Sequence, residues 1–515
     1  MLVRQRHISL VRPIPMSGSL TRVNWDSWAP LAAILGLQVA VAELSLHNTA
    51  FQDEGLYVYA GRQIFEQWLG VPVVQVPWAS TMSGVAYLYP LLAGIVDTFF
   101  GFGAVRLLSL VWMLLATLVV YEVAKSLFDR EAGLFAAAAF VTQGPVLFLS
   151  HLATYDAMTV GLLATALLLT LRMAKRPGVG SASALGLILF LAFMTKYAGL
   201  LFVPSVLALL GWQLWRGRSL RAAVGYVSLA FGAFAVCTAL TLYALPDVRS
   251  SLLGSTLQRV IVAPASREEL LGMVIETVGP LICLALLGLA LGFRKDPILA
   301  MLLFGSLLLP SAYHIYKEEQ ISLYKHLAYG AMFGAPLAGY GLARLNRYVQ
   351  RAGVGPLRDA PWIVGLSVCL LLFGAGLQQA TAQYESWPDS APLISVLRTQ
   401  IHPGSRILAE ESEVPRFYLQ DITQVWQWNG LYWFQYRDKA GQVLSEDAAY
   451  RAAIDDGYFD IVELRFGYSL DRAHLIEAEL QKSQQYRVLT RIPFTTSIGT
   501  GQYTIWVKVN KPTSP

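Results

Sequence analysis

Two adjacent carboxylates, Asp53 and Glu54, stand in the stretch Phe51-Gln52-Asp53-Glu54-Gly55-Leu56-Tyr57-Val58-Tyr59-Ala60-Gly61-Arg62. They come just after a long apolar segment. Asp156, within Ala153-Thr154-Tyr155-Asp156, and Lys196, within Thr195-Lys196-Tyr197, also stand at the margins of apolar runs, as do Arg106, Lys317, Lys325 and His326. Ionisable groups at that depth of a bilayer are costly, and their default reading is functional. The mixture points to a chemistry. A carboxylate can take a proton from a nucleophile, and lysine or arginine can hold a phosphate. Together they suit a transfer reaction whose leaving group is an anionic lipid phosphate.

Each residue also has a structural role open to it. Asp53 and Glu54 could cap a helix, where acidic side chains favour the N-terminus. Asp156 could sit in a first helical turn for the same reason. Lys196 could extend its amine to the interface, and Arg106 could anchor the start of a span. His47, His151 and His314 fall near the same edge, but without ligand spacing.

The elements that must gather these residues are membrane helices. Of 515 residues, 55% are hydrophobic and 14% charged, against about 25% charged in a soluble globular protein. Mean hydropathy is +0.48. The net charge of +5 does not mark a nucleic-acid binder, because the basic residues sit in short loops between apolar runs, as membrane topology requires. Three cysteines, Cys237, Cys283 and Cys369, lie inside apolar segments and imply neither a disulfide framework nor a zinc site.

Residues 1–27, with Arg4, Arg6, Arg12 and Arg22, are expected in the cytoplasm. A first span from Trp28 to Leu46 leads to an outer loop over 47–103. Within that loop, Tyr57 to Phe65 is expected to form a helix in the interface with its aromatic residues toward lipid. The apolar piece opening at Tyr87 is expected to lie shallow. Spans follow over Ala104–Tyr121, Gly133–Ser150 and Thr154–Leu171. Leu185–Trp212 is read as two short helices meeting at Thr195-Lys196-Tyr197, since a lysine buried in one span would cost about 2.5–3.5 kcal/mol. Further spans are expected over Ala223–Leu245 and Leu271–Leu291, then one ending by Pro310. An outer segment, Tyr313 to Gln320, precedes Leu327–Ala343 and Trp362–Thr381. That makes about eleven or more spans, each near the roughly 20 residues a bilayer needs. The excess of Lys and Arg on one side places the N-terminus in the cytoplasm and the C-terminal part outside.

The expected architecture is therefore a polytopic α-helical membrane domain over 1–383 and a small extracytoplasmic α/β domain over 384–515. Arg406–Ala409, Ile461–Leu464 and Tyr503–Val509 read as strands, and Ala473–Ser483 has helical spacing. The aromatic run Val425 to Phe434 could stack on sugar, fill a core or rest on the membrane interface.

These landmarks resemble the GT-C membrane glycosyltransferases, most closely the branch holding protein O-mannosyltransferases and the lipid A aminoarabinose transferase. The acidic pair after the first span is similar to that family's first outer loop. Tyr87-Leu88-Tyr89-Pro90-Leu91 resembles its Pro-Pro-Leu-Tyr segment, and Phe102-Gly103-Ala104-Val105-Arg106-Leu107-Leu108-Ser109 its Arg-Leu-x-Ser start of the second span. Leu152-Ala153-Thr154-Tyr155-Asp156-Ala157 resembles a Thr-Pro-Asp-Ala stretch, and Thr195-Lys196-Tyr197 a Thr-Lys-Gly hairpin tip. Tyr324-Lys325-His326-Leu327-Ala328-Tyr329, followed by Ala335-Pro336-Leu337-Ala338, resembles the late outer turn and span. The likeness covers residues 25–345. It departs at Pro90, where the family has two prolines, and at Ala86 and Tyr87, where a lysine is common.

The resemblance implies an inverting transferase of the plasma (inner) membrane that takes a hexosyl or pentosyl group from a polyprenyl-phosphate donor. The acceptor would be a lipid, a glycan or a protein. Asp53 would be the general base, with Glu54 and Asp156 the other catalytic carboxylates. Lys196, Arg106, Lys325, His326 and Tyr89 would hold the donor phosphate. Where a divalent metal, Mg or Mn, takes part, Asp53 and Asp156 would hold it; otherwise Asp156 would be a partner to the acceptor site. Glu54 would orient Asp53 or help with the metal. The alternatives are a transporter or flippase of lipid-linked sugars and a non-catalytic assembly protein. A transporter would carry inverted repeats and a central polar path, which the sequence does not display.

Overall fold

The computed structural model of this chain describes residues 25–256, 258, 261–352, 362–467 and 469–509. Arg4, Arg6, Arg12 and Arg22, on which the orientation partly rests, lie outside the described residues.

Among the described residues, eight helices are long and apolar enough to cross a membrane. They are α1 (Trp25–Ser45), α4 (Phe102–Leu127), α7 (Tyr155–Lys175), α9 (Val203–Gly217, preceded by a 3-10 turn over Tyr197–Phe202), α10 (Leu220–Ala244), α12 (Arg267–Phe293), α13 (Pro297–Lys317) and α15 (Trp362–Tyr384). Between them run α2 (Gln52–Trp68), α3 (Tyr89–Phe100), α5 (Arg130–Val141), α6 (Gly144–Leu149), α8 (Val179–Thr195), α11 (Pro246–Ser255) and α14 (Leu323–Ala352). Three segments read from the sequence as spans fall short of that length or apolarity. The Gly133–Ser150 stretch breaks into α5 and α6 around Thr142 and Gln143, and α8 has 17 residues. Helix α14 has 30 residues, but its Gly, Ala and Tyr make it less apolar, and it is buried almost throughout its first 20. It packs against α5, α12 and α13 as a central post.

Local signals set the helix boundaries. Asp129 accepts from Ala132 N at 3.0 Å to cap α5, and Ser266 with Glu269 forms a capping box at the start of α12. Asp296 caps α13, with Pro297 in its first turn. Helix α13 does not stop near Pro310 as expected. It runs through that proline to Lys317, so Tyr313 to Lys317 belong to the helix. Helix α3, with 12 residues, spans only about 18 Å and lies too short to cross.

Helix α2 differs most from expectation. Its aromatic residues face protein, not lipid: Tyr57 is 3% and Tyr59 1% exposed. Tyr57 stacks on Tyr155 with ring centroids 4.4 Å apart. The cause is a close helix crossing. A Cβ on Gly61 would come within 1.7 Å of Pro90 O, so α2 and α3 touch backbone to backbone and draw the aromatic face inward.

The C-terminal domain holds α16 (Ala391–Gln400), α17 (Glu413–Tyr418), α18 (Glu446–Asp455) and α19 (Leu470–Lys482). Its strands are β1 (Ile407–Ala409), β2 (Trp428–Asn429), β3 (Gln435–Arg437), β4 (Val443–Ser445), β5 (Ile461–Leu464), β6 (Tyr486–Thr496) and β7 (Gly499–Lys508). The main sheet has the order β2-β1-β5-β7-β6, with β1 parallel to β2 and β5 and the rest antiparallel; β3 and β4 form a separate hairpin. The aromatic run divides: Trp428, Leu431 and Phe434 are buried, while Trp426, Tyr432 and Trp433 are exposed. The domain docks on the start of α2. Ala50 N donates to Tyr418 Oη at 2.9 Å, and Trp387 Nε1 donates to Thr49 O at 2.9 Å. The Arg416 guanidinium lies 4.9 Å from the Tyr59 ring centroid.

Candidate active site

Helices α2, α7 and α14 and the hairpin between α8 and the turn before α9 bring their charged residues to one place. Asp53, in the first turn of α2, accepts from Lys325 Nζ at 2.6 Å. The same ammonium stands 3.9 Å from Asp156 Oδ2. Asp156, fully buried at the start of α7, accepts from Lys196 Nζ at 2.5 Å and from Tyr329 Oη at 2.9 Å on Oδ1. On Oδ2 it accepts from Thr154 Oγ1 at 3.3 Å. The charges therefore run Asp53, Lys325, Asp156, Lys196 in unbroken alternation. Each buried charge has an opposite neighbour, as low-dielectric surroundings require.

The sequence explains each position. Lys325 and Tyr329 are one turn apart on α14, so both face α7. Lys196 sits where α8 stops, with an extended backbone at φ −148° and ψ 126°. Its tip is held by the segment 83–85: Val85 N donates to Met194 O and Tyr197 N to Ser83 O, both at 2.8 Å. Gly84 permits this contact, since a Cβ there would lie 2.1 Å from Thr195 O.

Lys196 also lines a cavity of about 480 Å³. Its polar end carries Lys196, Tyr155, His326 and Tyr329, and its apolar wall carries Leu200, Leu201, Pro204 and Pro310. Leu200 is 42% exposed. Lys317 and Ser322 complete the polar rim. His326 Nδ1 is 2.8 Å from His314 Nε2, and His314 Nδ1 is 2.7 Å from Glu319 O. A carbonyl only accepts, so His314 carries its proton on Nδ1. In the neutral ring its Nε2 then accepts, and His326 Nδ1 is the donor.

Three residues read as site groups stand elsewhere. Glu54 is fully buried and gives both oxygens to structure: Oε1 accepts from Arg106 Nε (3.0 Å) and Ala153 N (2.7 Å), and Oε2 from Arg106 Nη2 (2.7 Å) and Phe51 N (2.8 Å). Arg106 also donates to Asn48 O at 3.1 Å and to Thr49 O at 3.4 Å. The pair is a bidentate clamp behind Asp53, joining α2, α4 and the loop before α7. Arg106 is engaged by Glu54 and two backbone carbonyls, and the four bonds to Glu54 fill its lone-pair positions. Tyr89 is fully buried among Tyr59, Trp78 and Val105, away from the cavity wall. The structure adds Tyr329 and Tyr155, which sequence reading passed over. The turn spacing of Tyr329 after Lys325 was the available signal.

The carboxylates do not fit a divalent metal. Mg or Mn takes about six oxygen ligands at close range. Here the Lys325 ammonium occupies the position between Asp53 and Asp156, and Lys196 and Tyr329 take Asp156 Oδ1. Among the described residues no group of three or more His, Cys, Asp or Glu is placed to share an ion.

Comparison with known proteins agrees with this arrangement of helices. Residues 84–243 match the family described as Dolichyl-phosphate-mannose-protein mannosyltransferase. ArnT from Cupriavidus metallidurans in the apo state is 16% identical, with a TM-score of 0.62 over 95% of this chain and 100% of that one. The same protein bound to undecaprenyl phosphate is 15% identical, with a TM-score of 0.64 over 95% and 99%. The oligosaccharyltransferase AglB from Archaeoglobus fulgidus, in complex with an inhibitory peptide and a dolichol-phosphate, is 13% identical, with a TM-score of 0.54 over 96% and 75%. No curated protein matches the chain. The fold is that of the GT-C membrane glycosyltransferases. The likeness to the O-mannosyltransferase and ArnT branch, read from short motifs, is supported by both the family match and the fold.

Proposed function

We propose that this protein is a glycosyltransferase that moves a sugar from a polyprenyl-phosphate donor to an acceptor at the outer face of the plasma (inner) membrane. The observation that carries this reading is the alternating charge chain, which starts at a half-buried carboxylate, Asp53, and ends at Lys196, the one member of the four that lines the cavity with its apolar wall.

The geometry suits an inverting displacement. The donor phosphate would lie against Lys196, with Tyr155, His326 and Tyr329 on the same wall, and the prenyl chain along Leu200, Leu201, Pro204 and Pro310. Asp53 would take the proton of an acceptor hydroxyl as that oxygen attacks the anomeric carbon. The bond from carbon to phosphate oxygen breaks, and its electron pair stays on the phosphate. The ammonium of Lys196 meets the charge that develops there, which is where an electrostatic contact accelerates such a step. Lys325 orients Asp53 through its hydrogen bond. Lys325 also supplies the counter-charge that a metal would otherwise supply.

Support for a polyprenyl-phosphate donor comes from the shared fold of ArnT, solved with undecaprenyl phosphate, and AglB, solved with dolichol-phosphate. The test is transfer of labelled sugar from an undecaprenyl- or dolichyl-phosphate donor by the purified protein. Loss of transfer in Asp53→Asn, with the donor still bound, supports the assignment. Full activity in that variant overturns Asp53 as the base, and absence of donor binding by the wild-type protein overturns the reading of the cavity.

A further inference from the structure

The face opposite the candidate site holds a second cavity, of about 260 Å³, where α4, α9, α12, α13 and α14 end. It lies about 30 Å from Arg106 along α4, roughly one hydrocarbon thickness. Four cations line it, Arg216, Lys295, Arg344 and Arg347, against two carboxylates, Asp129 and Asp296.

Both carboxylates are already engaged. Asp129 accepts from Arg347 Nη2 at 2.6 Å, and Arg347 also reaches Glu131 at 3.3 Å. Asp296 pairs with Arg216 and accepts from Trp212 Nε1 at 3.0 Å. Among the described residues, Lys295 and Arg344 form no ion pair. Both stand over one ring instead: Lys295 Nζ is 5.7 Å and Arg344 Cζ 5.3 Å from the Tyr340 centroid. Arg344 Nε donates to Tyr340 Oη at 3.1 Å. That ring is itself fixed by stacking on Phe128, centroids 4.3 Å apart and planes 17° apart. Both cations thus border one stacked aromatic ring.

An apolar groove of about 410 Å³ continues from this cavity and shares Tyr340, Arg344 and Arg347 with it. Its floor is Leu287, Leu291 and Leu345, with Leu287 and Leu291 on the outward face of the membrane helix α12. A phosphate pocket joined to a hydrocarbon groove is the shape of a phospholipid end. Basic pockets between membrane helices on one leaflet side bind anionic headgroups, and guanidinium and ammonium groups supply the phosphate contacts.

We infer that Lys295 and Arg344 form a binding site for the phosphate headgroup of an anionic phospholipid, with one acyl chain along Leu287 and Leu291. This site is separate from the donor cavity and does not depend on the reading given there. The lipid braces the contact between α12 and α14, the helix that carries Lys325 and Tyr329.

The experiment compares the purified protein in detergent with added phosphatidylglycerol, phosphatidylcholine or inorganic phosphate. Phosphatidylglycerol should remain bound in native mass spectrometry and raise the thermal midpoint, while phosphatidylcholine and inorganic phosphate should do neither. The double variant Lys295→Ala, Arg344→Ala should weaken phosphatidylglycerol binding on the order of tenfold. Equal effects of the two lipids on the wild-type protein would overturn the proposal without any variant. Stabilisation by inorganic phosphate alone would make it a free-anion site and overturn the lipid assignment. So would unchanged phosphatidylglycerol retention in a monodisperse double variant.

Discussion

Lys325 Nζ lies 2.6 Å from Asp53 Oδ2, although the two residues are 272 positions apart in the chain. One comes from the first helix after the first span and the other from the late central helix. Their meeting links the start of α2 to α14. It also gives the half-buried Asp53 a permanent counter-charge.

The first prediction concerns that pair. Asp53→Asn keeps the shape and removes the base, so sugar transfer should fall by about 10²–10⁴-fold, with the thermal midpoint almost unchanged. Lys325→Met should lower turnover less, because Asp53 survives without its orienting partner. Single-turnover transfer assays on both variants, normalised to bound donor, check the order.

Asp156 should behave differently. It is fully buried and holds Lys196, Tyr329 and Thr154. Asp156→Ala leaves Lys196 buried without its nearest opposite charge, a loss of about 3–5 kcal/mol. Expression and thermal midpoint should drop together with activity. An Asp156→Ala protein as stable as wild type would show that the pair is not the brace described here.

Glu54 and Arg106 separate structure from chemistry within one acidic dipeptide. Breaking their buried bidentate clamp in Glu54→Gln or Arg106→Met should cost stability of the same order, about 3–5 kcal/mol. Turnover per folded molecule should stay much closer to wild type than in Asp53→Asn. Thermal melts paired with active-site-normalised rates distinguish the two residues.

The charged landmarks were legible in the sequence because a charge beside a 20-residue apolar run is conspicuous. Asp53, Asp156, Lys196 and Lys325 converge in the structure, and the helix break at Lys196 falls where its cost predicted. The division of labour was not legible. Asp53 and Glu54 are neighbours in sequence, yet a helix turns adjacent side chains about 100° apart, so one faces the site and the other faces Arg106. The inward aromatic face of α2 was missed because it depends on backbone contact between Gly61 and Gly94, a long-range fact. Helix α13 ran past Pro310 because a proline can be accommodated within a membrane helix.

The C-terminal domain gives a pH prediction. Burial, together with the nearby Glu410 and Glu411, pushes the Glu463 carboxyl up to about 8 from an ordinary 4.5. Burial likewise raises Glu411 to about 7, despite Arg465 beside it. Folded protein then keeps protons that unfolded chain has lost, so stability is full below about pH 4.5 and falls as pH rises toward 8. Each such proton contributes a slope of up to about 1.4 kcal/mol per pH unit. Melting of the domain followed from pH 5 to 9 should show this decline, and Glu463→Gln should flatten it.

Counter-charge from Lys325 in place of a metal has its own consequence. Donor turnover by the wild-type protein should be unchanged by a chelator and by added Mg or Mn. Replacing the ammonium with a neutral side chain opens a space between Asp53 and Asp156, so Lys325→Ala is the variant in which a divalent ion could begin to matter. Rate measurements with chelator, and with each metal added back, test both proteins. A wild-type rate abolished by chelator and restored by one ion would sink the assignment of Lys325 as the resident cation.

The last prediction is about how Lys196 is held. The tip that carries it is pinned by main-chain bonds to Ser83 and Val85, and Gly84 lies between them with no room for a side chain. Gly84→Ala puts a Cβ 2.1 Å from Thr195 O, and neither backbone can retreat without losing those bonds. Such overpacking typically costs about 1–3 kcal/mol. The tip should shift, and Lys196 should lose its short contact to Asp156. Donor affinity should fall although every charged residue is intact, and a Gly84→Ser variant should behave the same way. Donor binding measured beside the thermal midpoint decides the case. If binding holds while stability falls, the pinning matters for folding alone, and Lys196 keeps its place by its ion pair with Asp156.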